Sequence, residues 1–142
     1  MKLINIFVIA VLAVALSGCG GGGGGSVVVP PADITGPNFT VVPTAEYDEN
    51  TGSVIFIATV TDASGINNVV AVVNAKLTTL TLVSGGTYTG TYNGFPDNFG
   101  ATPLTYTAVV TATDNSANKN KTASNASFTV PVAGPPPPPI VD

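Results

Sequence analysis

Val54-Ile55-Phe56-Ile57-Ala58-Thr59-Val60-Thr61-Asp62 is the stretch that decides the fold. Val54, Phe56, Ala58 and Val60 are apolar at every second position. They fall on one face of an extended strand, because successive Cβ atoms alternate across it. The same parity returns in Leu104-Thr105-Tyr106-Thr107-Ala108-Val109-Val110-Thr111-Ala112-Thr113-Asp114, where Tyr106, Ala108, Val110 and Ala112 share a face and the run again stops at an aspartate. No window carries apolar residues at helical spacing over a helical length. Outward from these two runs, strands are predicted over 39–42, 54–61, 69–74, 77–83, 87–92, 104–113 and 127–132, with Gly, Pro, Asn and Asp between them. The paired glycines of Ser84-Gly85-Gly86 permit the positive φ angles of a primed hairpin turn, so 77–83 and 87–92 should pair antiparallel. Leu80 and Leu82 should then point inward opposite Tyr88, Gly90 and Tyr92, with Thr87, Thr89 and Thr91 facing water. Seven short strands in about a hundred residues predict an all-β sandwich.

Composition narrows the chemistry. The chain has 142 residues, 4 of them basic and 8 acidic, for a net charge of -4. Charged residues make up 8%, against about 25% in an average soluble domain, so this is one domain with a polar surface built from Thr, Ser and Asn. With no His, the commonest general base and metal ligand is missing. The single Cys has no partner for a disulfide or a thiolate cluster. Four lysines, no arginine and a negative balance exclude a nucleic-acid footprint.

The N-terminal region carries an address. Met1-Lys2 precedes an unbroken apolar run from Ile6 to Leu16. That run is too short to cross about 30 Å of hydrocarbon, which takes roughly 20 residues, and has the length of a signal-peptide core. Leu16-Ser17-Gly18-Cys19 follows and resembles the lipobox of bacterial lipoproteins. The resemblance implies cleavage of residues 1–18 as a signal peptide and lipidation of Cys19 at its sulfur and new amino group. Several acyl chains on one residue exceed what stable anchoring needs. Gly20 rather than Asp after Cys19 implies, in a Gram-negative cell, sorting to the outer membrane. Residues 19–32, with six glycines and Pro30-Pro31, read as a flexible tether. Residues 133–142, with Pro135 to Pro139, read as a stiff polyproline tail.

Between them, residues 33–132 resemble a bacterial Ig-like domain. Ala58-Thr59-Val60-Thr61-Asp62-Ala63-Ser64-Gly65-Ile66 is similar to strand B and the B–C turn of that family, and Thr113-Asp114-Asn115-Ser116-Ala117-Asn118 is similar to the end of strand F and its turn. Gly86-Thr87-Tyr88 is similar to the Gly-x-Tyr that opens a middle strand. The resemblance implies a single seven-stranded antiparallel Ig-like β-sandwich. Without a Cys pair or a Trp it is neither antibody-like nor a standard fibronectin type III domain, and Ala117 stands where a Gly is usual.

No catalytic constellation is legible. Glu46-Tyr47-Asp48-Glu49 reads as a solvated loop between the first two strands; a glycosidase pair would need two carboxyls about 5–9.5 Å apart across a cleft. Ser64, Ser84 and Ser116 lie in turns, with no His to activate them. In this topology the B–C loop (62–68) and F–G loop (114–120) share one end of the sandwich. Asp62, Asp114, Asn67 and Asn118 carry the hard oxygens that Ca²⁺ prefers, but that ion takes roughly six to eight, so Asx-turns that need no ion are the expected use, and no cofactor is expected. At the other end, Phe95 and Phe99 in the loop 93–102 are candidates for a glycan or partner contact, with at least one expected to tuck under the sandwich. Strand 69–74 leaves Val70 and Val72 facing outward if Val69, Ala71 and Val73 face the core. Val109 has the same outward parity, which makes these three a candidate surface for a protein partner. The reading is a lipid-anchored envelope protein, bound to the membrane through Cys19, with a non-catalytic module for a protein or glycan partner; the alternative is an assembly subunit of an envelope complex.

Overall fold

A computed structural model describes residues 31–134; the Leu16–Cys19 motif, the glycine run and the proline run from Pro135 lie outside them. Seven strands form: β1 (Asn38–Asp48), β2 (Ser53–Thr61), β3 (Ile66–Val73), β4 (Lys76–Ser84), β5 (Thr87–Tyr92), β6 (Leu104–Asp114) and β7 (Lys121–Val130). Their hydrogen-bonded order is β1-β2-β5-β4-β3-β6-β7, every strand pairing is antiparallel, and no helix occurs among the described residues. The fold is the expected all-β Ig-like sandwich. One layer is β1-β2-β5 and the other β3-β6-β7. β4 belongs to both: residues 76–80 pair with β3, and residues 81–84 pair with β5. On the opposite side β1 runs beside β7, so the two free edges flank each other.

Parity selects the core as the two defining runs predict. Val54, Phe56, Ala58 and Val60 of β2 meet Val69, Ala71 and Val73 of β3, Ala108, Val110 and Ala112 of β6, and Ala126, Phe128 and Val130 of β7. Many of these side chains are small, and the missing Trp is replaced by an aromatic nest. Phe95, from the loop after β5, sits with its ring centroid 4.9 Å from Tyr106, 5.1 Å from Phe128 and 5.7 Å from Tyr92, all edge-to-face. Its backbone N–H donates to Gly52 O at 2.8 Å, which ties the loop down over the end of the core.

The Gly85-Gly86 hairpin has the positive φ angles expected, 52° and 79°. Inward parity along β4 does not persist. Leu80 is buried, but Leu82 is 60% exposed, because β4 leaves one layer for the other and its pairing with β5 shifts register between Leu82 and Ser84. Thr87 and Thr89 are half-buried in consequence, and only Thr91 of the three threonines is exposed. β1 extends well past residue 42, and Glu46, Tyr47 and Asp48 belong to it rather than to a loop, opposite Ile55, Val54 and Ser53. β1 has two register shifts, and the second, between Val41 and Thr44, absorbs the buried Pro43, which has no N–H to give to a ladder. β7 begins at Lys121, six residues before the expected start, and ends at Val130; Val132 forms only an isolated parallel bridge with Asn98. Among these turns, positive φ falls at Lys119 and not at Ala117, so the missing glycine is accommodated two residues downstream.

Candidate functional site

Three copies of one short pattern meet at the end of the sandwich where the described chain begins. Asp33-Ile34-Thr35 precedes β1, Asp62-Ala63-Ser64 follows β2, and Asp114-Asn115-Ser116 closes β6. In each, one carboxylate oxygen accepts from the backbone N–H two residues on and from the hydroxyl of that same residue. The two distances are 3.0 and 2.7 Å at Asp33, 2.8 and 2.6 Å at Asp62, and 3.2 and 2.8 Å at Asp114. These are Asx-turns, and they explain why both long apolar runs stop at an aspartate. Each of the three aspartates offers a carboxylate oxygen, and these oxygens lie within 4.8 Å of one another.

Asp114 is the hub. It has no exposed surface, its second oxygen accepts from Asn120 Nδ2 at 2.8 Å, and its backbone N–H donates to Asn120 O at 3.0 Å. Asn118 and Asn120 both donate to the carbonyl oxygen of Asp33, at 2.7 and 3.0 Å, so the segment entering β1 is stapled to the loop after β6. Asn115 N–H donates to Gly65 O at 2.9 Å and joins that loop to the one after β2. Electrostatics follow from these donors. The Thr35 hydroxyl and N–H hold the Asp33 carboxyl below its ordinary value, with help from the Ser64 hydroxyl. Burial pushes Asp114 up, but the donors from Ser116 and Asn120 outweigh it and leave the group below its ordinary value.

Asp62 and Asp114 come together as the shared loop end predicts. Asn118 points its amide donor at a carbonyl rather than an oxygen at a cation, and Asn67 is exposed on β3 at the register shift between Ile66 and Asn68. Asp33 and Asn120 belong to the site and were not singled out in the sequence; the threefold Asp-x-Ser/Thr pattern is the signal that marks Asp33. Three carboxylates could give a divalent cation three hard oxygens, short of the roughly six to eight of a Ca²⁺ shell. What the arrangement does on its own is join two loops and the entering chain. Ser64 and Ser116 spend their hydroxyls on this network.

The opposite end differs. Asp48 closes its own turn through Asn50 N–H (2.9 Å) and the Thr51 hydroxyl (2.9 Å), and these donors lower its pKa. The Tyr47 hydroxyl donates to Asp97 Oδ1 at 3.2 Å. Of the two loop phenylalanines, Phe95 is buried and Phe99 is 81% exposed. On the outer face of the β3-β6-β7 layer, Val72 pairs with Val109 and with Leu77, while Val70 lies between Thr79 and Thr111. Val70 and Val72 are half-buried and Val109 is exposed, so the expected outward valines do adjoin. No protein-family model, curated protein or solved structure matches the chain.

Proposed function

We propose that the chain is a lipid-anchored protein of the bacterial cell envelope whose sandwich is a non-catalytic binding or adhesion module of the Ig-like class. The observation that carries the reading is Leu16-Ser17-Gly18-Cys19 directly after an apolar run of signal-peptide length, in a chain with no other cysteine. A glycine tether and a compact module stapled at its entry fit a domain held off a membrane surface. The absence of His from the chain and the commitment of Ser64 and Ser116 to turns support a module that binds rather than reacts. Metabolic labelling with a fatty acid tests the anchor: the chain takes up label and partitions with membranes, and Cys19→Ala does neither. Label retained in Cys19→Ala sinks the assignment. A second reading, an assembly subunit of an envelope complex, is favoured by the adjoining Leu77, Val72 and Val109 on one outer face.

A further inference from the structure

The end of the sandwich opposite the three aspartates holds an open cavity of about 270 Å³, walled by Tyr47, Glu49, Asp97, Asn98 and residues 131–134. That volume lies just under the roughly 300–1,000 Å³ of small-molecule sites, a size suited to one side chain. Its side chains offer acceptors and no free donor. Asn98 Nδ2 is committed to Thr102 O at 2.8 Å and Val130 O at 3.3 Å, and the Tyr47 hydroxyl is committed to Asp97 Oδ1. Asp97 Oδ2 and the Glu49 carboxylate accept no hydrogen bond among the described residues. Pro131 and Val132 supply an apolar wall beside them. Charge at this end is mostly acidic: Glu46, Asp48, Glu49 and Asp97 lie there with Lys76 as the one lysine there among the described residues, while Lys119 and Lys121 sit at the other end. The Tyr47 phenol registers this field, its pKa raised first by burial and then by Asp97, Glu49 and Asp48.

We propose that this cavity receives a lysine side chain of a partner polypeptide, its ammonium donating to Asp97 and Glu49 while its aliphatic stem lies along Pro131 and Val132. An ammonium brings three donors and no acceptor, the complement of a wall that has acceptors alone. The stem needs an apolar surface while its head stays near water, which an open cavity with one apolar wall provides. The inference rests on reading the domain as a binding module and gives the chemistry of what it binds.

The test is an NMR titration of the full chain in detergent micelles with the blocked tripeptide acetyl-Gly-Lys-Gly-amide, against the same peptide with norleucine for lysine. The lysyl peptide should bind with a dissociation constant of about 1 mM and shift the amides of Tyr47, Glu49, Asp97 and residues 132–134. Asp97→Asn and Glu49→Gln should each weaken binding by about two- to fivefold, the worth of one solvent-exposed ion pair. Both carboxylates are exposed, so an unchanged melting temperature checks that the fold is kept. Lys121→Gln, exposed at the far end, should bind as the unsubstituted chain does. Equal affinity for the norleucine peptide, undiminished affinity in Asp97→Asn, or no binding of the lysyl peptide overturns the proposal. Fatty-acid labelling of Cys19 is independent of all three results, so failure here and failure of the envelope reading are told apart.

Discussion

At the scale of single residues, Asp33 and Asp114 link the staple to acidity. Both carboxyls titrate below their ordinary value of 3.8 in the folded chain, Asp33 through the Thr35 hydroxyl and N–H and Asp114 through donors that overcome its burial. Because the native values are depressed, the stabilisation is complete above the ordinary value and is lost as pH falls through the native values. Denaturant midpoints should therefore be flat from about pH 7 to about pH 5 and fall below about pH 4. Asp114→Asn should lose part of that fall; an identical pH profile would remove the staple from the account of acid stability. The same residues answer the question of a cation. Each aspartate already has donors from its own turn, so about 1 mM Ca²⁺ should leave the melting temperature unchanged, since only a ligand of the native state raises it. A rise of several degrees that vanishes in Asp33→Asn would make the staple a metal centre. Asp62 and Asp114 could be read from the two runs they terminate. Asp33 shares their Asp-x-Ser/Thr pattern but precedes any strand signal, so its place beside them follows only from the packing of the chain's entry against the loop after β6.

At the scale of elements, β4 is where sequence and structure part. Period-two reading locates every strand and selects the buried faces of β2, β3 and β6, since each of those strands keeps the same neighbours throughout. β4 changes neighbour half-way, and no pattern in Leu77-Thr78-Thr79-Leu80-Thr81-Leu82-Val83 marks the point of change. The mark lies in another strand, at Gly90. A Cβ there would sit 2.9 Å from the Thr79 carbonyl oxygen and 3.2 Å from two carbons of Leu80, so only glycine lets β5 pass beneath the crossing. Gly90→Ala should destabilise the chain by about 1–3 kcal/mol, read from the denaturant midpoint, because the nearest obstacle is backbone and cannot rotate away. A cost within measurement error would mean that β4 can shift without penalty. β1 outruns its expected end at Val42 for a related reason: Pro43 looks like a strand end, but on an edge strand a bulge absorbs it, and pairing continues to Asp48.

At the scale of the whole molecule, the two readings of function differ in whether the chain meets another copy. Leu77, Val72 and Val109 form a cross-strand row with Val70 beside it, on a surface with few charges to oppose association. If that face carries assembly, the unsubstituted chain should self-associate in sedimentation, and Val70→Lys/Val72→Lys should fold normally and sediment as a monomer. A monomer in both forms at high concentration leaves that face as ordinary surface. The described chain enters at the Asp33 end and leaves at the Gly134 end, with β1 and β7, its first and last strands, lying side by side. Tension between those two points would run along the strands. It would drag β1 lengthwise past β2 and β7 lengthwise past β6, so that whole ladders bear the load together instead of opening one rung at a time. A domain threaded this way is suited to transmitting pull, and its resistance would be set by how fast those two ladders slip, a rate of unfolding and not an equilibrium stability.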